Sequence, residues 1–153
     1  MGFLGKMKNA ITGGGANVSI EYPTKSLQPG DSIHVKVTVI STGSEVKTQG
    51  VFVDLKGEEQ GHVHGSARCS KCGDYDSRTR VSVQHKTYDQ SIPLSGAFTL
   101  GANEKKVFEG DVQLPGNVQP TYHGTINHEW SVRGRLEGFG NDPDSGFQTI
   151  IVK

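Results

Sequence analysis

The feature that most limits what this chain can fold into is a two-residue rhythm in its apolar side chains. Val18, Ile20 and Tyr22 alternate with Ser19 and Glu21, and Ile33, Val35, Val37 and Val39 alternate with His34, Lys36 and Thr38. The rhythm returns at Ile126, His128, Trp130, Val132 and Leu136, set against Asn127, Glu129, Ser131, Arg133 and Arg135. Successive side chains of a strand point to opposite faces, so a period of two predicts strands with one face in a core and the other toward water.

Turn residues divide the pattern. Pro23 closes the first run, Gln28-Pro29-Gly30-Asp31 precedes the second, and Ser41-Thr42-Gly43-Ser44 follows it. Val51, Phe52, Val53 and Leu55 form a third run that ends at Gly57. Strand character recurs at Val81 to His85, around Ala97 to Leu100, at Phe108, Val112 and Leu114, and from Phe147 to Val152. Seven or eight short strands with turns about every ten residues predict an all-β fold, an antiparallel β-sandwich. The 21 glycines among 153 residues accord with many turns, and one domain is expected at this length.

The first residues read differently. Phe3, Leu4, Met7 and Ile11 recur at helical intervals, so a short amphipathic N-terminal helix is expected, followed by a joint at Gly13-Gly14-Gly15. The expected division is 1–15 for helix and joint and 16–153 for the sandwich. Capping one end of the sandwich is the plainer role for residues 2–11, and weak membrane contact is the alternative. Gly2 does not complete a myristoylation motif, because Lys6 stands where Ser or Thr is required. No run approaches the roughly 18 apolar residues of a membrane span, and the start lacks a signal-peptide core, so no transmembrane segment and a cytoplasmic location are expected. Lys plus Arg and Asp plus Glu both number 16 with no basic cluster, which argues against nucleic acid as a partner.

No catalytic constellation stands out. A Gly-x-Ser-x-Gly elbow is missing, His128 beside Trp130 reads as a hydrogen-bonded core residue, and His85 and His123 read as surface groups. Trp130 and Tyr122 are expected in the core. Asp142 and Asp144 flank Pro143 as turn residues rather than as a calcium loop. The chain is therefore expected not to be an enzyme.

In order along the chain come Ser26-Leu27-Gln28-Pro29-Gly30-Asp31-Ser32-Ile33, Gly50-Val51-Phe52-Val53-Asp54-Leu55-Lys56-Gly57, and Leu100 to Phe108 running to Gln113-Leu114-Pro115. Pro120-Thr121-Tyr122-His123-Gly124 then precedes Trp130 to Leu136. This ordered set resembles the N-terminal domain of the arrestin-like superfamily, and the amphipathic start and the Asp142-Pro143-Asp144 turn look most like its bacterial sporulation-control branch. The resemblance implies a non-catalytic module, a scaffold or regulatory adaptor that binds a protein partner. Such proteins usually pair two sandwiches, whereas this sequence carries one. The alternative is a self-associating structural protein, a homo-oligomer joined through its edge strands and stiffened by a zinc loop.

Residues 57–80 carry almost no apolar periodicity and are expected to form an irregular insertion or a long hairpin loop. Within them, His62, His64, Cys69 and Cys72 offer four donors of the type zinc takes in tetrahedral sites, with Cys-x-x-Cys at a standard spacing. Two free thiols, or a reversible Cys69–Cys72 disulfide beside Arg68 and Lys71, are the competing readings. The zinc reading, a structural ion with no open position, expects about one zinc per chain in protein purified without a tag. Metal and thermal stability should both fall in a Cys69→Ser, Cys72→Ser double variant. Metal-free protein that melts identically with and without a chelator excludes it.

Overall fold

The alternating runs become strands, and their registers show why. In the computed structural model, which describes residues 15–68, 76–138 and 142–153, eight strands and no helix are present. They are β1 (Ala16–Glu21), β2 (Ser32–Ser41), β3 (Val46–Arg68), β4 (Asp76–Pro93), β5 (Phe98–Leu100), β6 (Lys105–Gln113), β7 (Ile126–Gly138) and β8 (Gln148–Ile150). The N-terminal helix expected over residues 2–11 lies outside the described residues.

The strands pair antiparallel into two sheets, one ordered β1-β2-β6 and the other β4-β3-β7-β8, with β5 also on β3. Val18 stands opposite Val39 and Ile20 opposite Val37, so the apolar positions of β1 and β2 share one face. Ile33, Val35, Val37 and Val39 from that sheet meet Val51, Val53, Leu55, Val132 and Leu136 from the other, all fully buried. Each such side chain contributes about 1.5–3 kcal/mol by leaving water. The last residues close one side, with Leu27 N–H donating to the Ile151 carbonyl and Lys153 N–H donating to that of Leu27, both at 2.8 Å.

The described part of residues 57–80, expected to be an irregular insertion or a long hairpin loop, is a paired two-stranded ribbon. β3 continues through Gly57 to Arg68, and β4 runs back beside it, with Gly57 opposite Tyr88 and Arg68 opposite Asp76. Gly57 and Glu58 are buried at the base of the ribbon, whereas His62, His64 and Val81 farther along are exposed and lie on strands held by their ladder pairing. A strand without a core carries no apolar rhythm, which is why the sequence shows none. Tyr122, expected in the core, is 37% exposed, whereas Trp130 is buried.

Gly50 sits at an irregularity between Thr48 and Gly50 in the β3–β7 register, at φ 145°. A Cβ there would lie 2.5 Å from the Ser95 carbonyl oxygen, while a Cβ at Gly96 would meet nothing within 4 Å. Gly50→Ala should lower unfolding free energy by about 2 kcal/mol or more, from backbone strain plus overpacking. Gly96→Ala should stay within about 0.5 kcal/mol of the parent in urea titrations.

Candidate functional site

Because Val51, Val53 and Leu55 face the core, Phe52, Asp54, Lys56 and Glu58 must face outward from β3. Register brings Arg133 of β7 opposite Asp54 on one side and Ser91 of β4 opposite it on the other. Asp54 is only 5% exposed. Its Oδ1 accepts from Ser91 Oγ at 2.5 Å, and its Oδ2 accepts from Arg133 Nε at 2.9 Å and Arg135 Nε at 3.1 Å. Arg133 extends to Asp144 at 3.3 Å and Arg135 to Asp142 at 3.4 Å. The Arg133 guanidinium also lies 4.4 Å from the centre of the Phe147 ring.

A buried carboxylate without partners would be strongly unfavourable, and here two guanidinium groups and a hydroxyl replace its water. Burial pushes the Asp54 carboxyl upward, but the hydrogen bonds from Ser91, Arg133 and Arg135 and the Arg135 charge outweigh it, so its pKa lies below the ordinary value. The cluster clamps the 142–147 segment onto the sheet, with Gly138 N–H bonded to Asp142 Oδ1 and Gly134 N–H to Ser145 Oγ, both at 3.0 Å. Lys56, Lys86, Asp89 and Phe147 complete a shallow polar depression over it. Lys56 is paired with Glu58 and Lys86 with Asp89, each at 2.7 Å.

The opposite face of the same strands holds a second cluster. His128 is fully buried, as the alternation implied, and both ring nitrogens are engaged. The Pro120 carbonyl, 2.9 Å from Nδ1, can only accept, so Nδ1 carries a proton, and Nε2 is hydrogen-bonded to Thr87 Oγ1 at 2.7 Å. Trp130 Nε1–H donates to the Gln119 carbonyl at 2.7 Å, and Tyr122 O–H to Glu59 at 3.0 Å.

Thr87 is the extra residue of a β-bulge, since Gly57 faces Tyr88 and Glu58 faces Lys86. Gly57 makes room for it: a Cβ there would stand 2.8 Å from Thr87 Oγ1 and 3.2 Å from the Trp130 ring. Beside the bulge, Tyr88, Trp130, Pro115 and Val118 line a shallow groove at the margin of the sandwich. His85, expected near a strand end, lies within β4, exposed, with its ring 3.6 Å from Glu59.

His62 and His64 lie on the exposed face of the ribbon, with His62 Nδ1 3.1 Å from Ser82 Oγ. Cys69 and Cys72 lie outside the described residues. At about 3.3 Å per strand residue, His62 and Arg68 stand about 20 Å apart along β3. Among the described residues, no group of three or more His, Cys, Asp or Glu side chains is placed to hold a metal ion. The Asp54 cluster was not singled out from the sequence. Its one visible trace is Arg133 and Arg135 on the same outward face, whereas the acid between them comes from a strand about 80 residues earlier.

No protein family and no curated protein matches the sequence. Among solved structures, the crystal structure of Spo0M, a sporulation control protein from Bacillus subtilis, is similar at a TM-score of 0.61 and 20% identity. The match covers 92% of this chain and 50% of that one. The fold is arrestin-like. This chain therefore spans about half the length of Spo0M. A family 123 glycoside hydrolase from Clostridium perfringens is similar only at a TM-score of 0.40 and 12% identity, over 83% of this chain and 22% of that one.

Asp54→Asn should destabilise the chain by about 1–3 kcal/mol at neutral pH, because two partly buried arginines lose their anion. With the folded pKa of Asp54 below its unfolded value, the stabilisation is complete above the unfolded pKa of about 4 and is lost as pH falls through the folded value. Parent and variant should therefore differ most above about pH 5 and converge in acid, as urea titrations across pH will show.

Proposed function

We propose that the chain is a non-catalytic protein-binding module, a scaffold or regulatory adaptor. The observation that supports this reading most is the open edge of the larger sheet: β4 is 18 residues long and pairs only with β3 among the described residues. A strand with one unpaired side presents free N–H and C=O groups that a partner strand can use, and association through them needs no reacting side chain. The likeness to Spo0M accords with a regulatory role, since that protein's name describes control of sporulation.

Affinity capture from lysate with the purified chain, followed by mass spectrometry, tests the reading. A protein retained specifically and in about stoichiometric amount supports it. Turnover of a hydrolase or transferase substrate that one His or Ser substitution abolishes would overturn it.

A further inference from the structure

Resting on that protein-binding reading, we infer that the Tyr88–Pro93 stretch of the β4 edge is a docking slot for one extended peptide segment of a partner protein, about six residues long and apolar at alternate positions. Comparison of the sheet edges selects it. β8 has three residues, β1 is buried along most of its length, and β6 carries Lys105, Lys106, Glu109 and Asp111, charges of the kind that blunt an edge. From Tyr88 to Pro93, Asp89 is the one charged residue.

The backbone of the slot is aimed outward at defined positions. Leu94 N–H donates to the Val51 carbonyl at 2.8 Å. Inward and outward hydrogen-bonding residues alternate in an antiparallel ladder, so Gln90 and Ile92 belong to the β3 side and Asp89 and Ser91 turn their N–H and C=O groups away from it. Pro93 falls in the outward set, where its missing N–H breaks no ladder bond. The slot has natural ends: the Thr87 bulge interrupts the ladder at one, and Pro93, which cannot donate, stands at the other.

The two faces flanking this edge differ, which gives the slot its pattern. Toward the core, Tyr88 and Ile92 are only partly buried, and Tyr88 continues into the groove with Trp130, Pro115 and Val118. Toward the outside, Asp89 and Ser91 border the polar depression with Lys56 and Lys86. A strand laid on this edge places alternate side chains against Tyr88 and Ile92, where apolar groups gain by leaving water. The intervening side chains meet Ser91 and the Lys86–Asp89 pair, where polar groups find hydrogen-bonding partners.

The test selects random heptapeptides displayed on phage against the immobilised full chain and measures fluorescein-labelled binders by polarisation. Bound sequences should be apolar at every second position, and adding them should slow amide exchange at Asp89 and Ser91. Asp89→Pro and Ser91→Pro remove outward N–H groups and should each weaken binding about tenfold, the worth of roughly one hydrogen bond. Ser91→Ala removes the hydroxyl bonded to Asp54 but keeps the outward N–H, so it should weaken binding far less than Ser91→Pro. Should either proline variant fail to fold, the exchange measurement on the parent chain decides.

Peptides that bind both proline variants unchanged, or that protect other amides, overturn the slot. A chain that selects no peptide yet retains a partner from lysate overturns the slot alone and leaves the protein-binding reading standing, whereas failure of both removes the reading too. A parent chain that dimerises while Ser91→Pro stays monomeric assigns the edge to a second copy and overturns the peptide proposal.

Discussion

The architecture depends on β3. Its 23 residues pair with β5 and β4 in succession along one side and with β7 along the other. Val51, Val53 and Leu55 commit one face of it to the core, and the strict period of two then commits Phe52, Asp54, Lys56 and Glu58 to the other. A slip of one residue would drive Asp54 and Lys56 into the apolar interior and turn the valines to water, so hydrophobic burial and charge placement enforce a single register together. Every neighbour of β3 inherits that choice.

Two polar clusters on opposite faces follow from it. On the outside, Asp54 receives Arg133, Arg135 and Ser91 from the strands on either side and ties down the 142–147 segment. On the inside, His128 holds Thr87 at the bulge, in space that Gly57 leaves open. Both clusters reach β4, through Ser91 and through Thr87. The strand is thereby fixed on its inward side while its outward side stays unpaired among the described residues, an arrangement suited to receiving a strand without first ordering the receptor.

Where the sequence was legible, the reason was burial. The apolar alternation of residues 18–39 and 126–136 identified strands, fold class and the buried state of His128, because the core imposes its period on any strand that faces it. Beyond Gly57 and Glu58, which are buried at the base of the ribbon, the sequence was opaque where His62, His64 and Val81 stand exposed; those positions are held by ladder pairing, and backbone bonding leaves little mark on side-chain choice. Tyr122 was misplaced because it stacks on buried His128 while its hydroxyl reaches Glu59 at an exposed margin.

By itself, the sequence determined that this chain makes antiparallel strands in two layers, which side chains of the clearest strands face inward, and that opposite charges balance overall. Tertiary structure alone decided which strands are neighbours, that Asp54 meets Arg133 and Arg135, that Thr87 bulges toward His128, and that β4 keeps one edge unpaired among the described residues. The physical reason is range. Facing is a local property, repeated every two residues along one strand, whereas pairing joins residues about 80 positions apart and is selected by the summed packing and hydrogen bonding of whole sheets, which no single stretch of sequence contains.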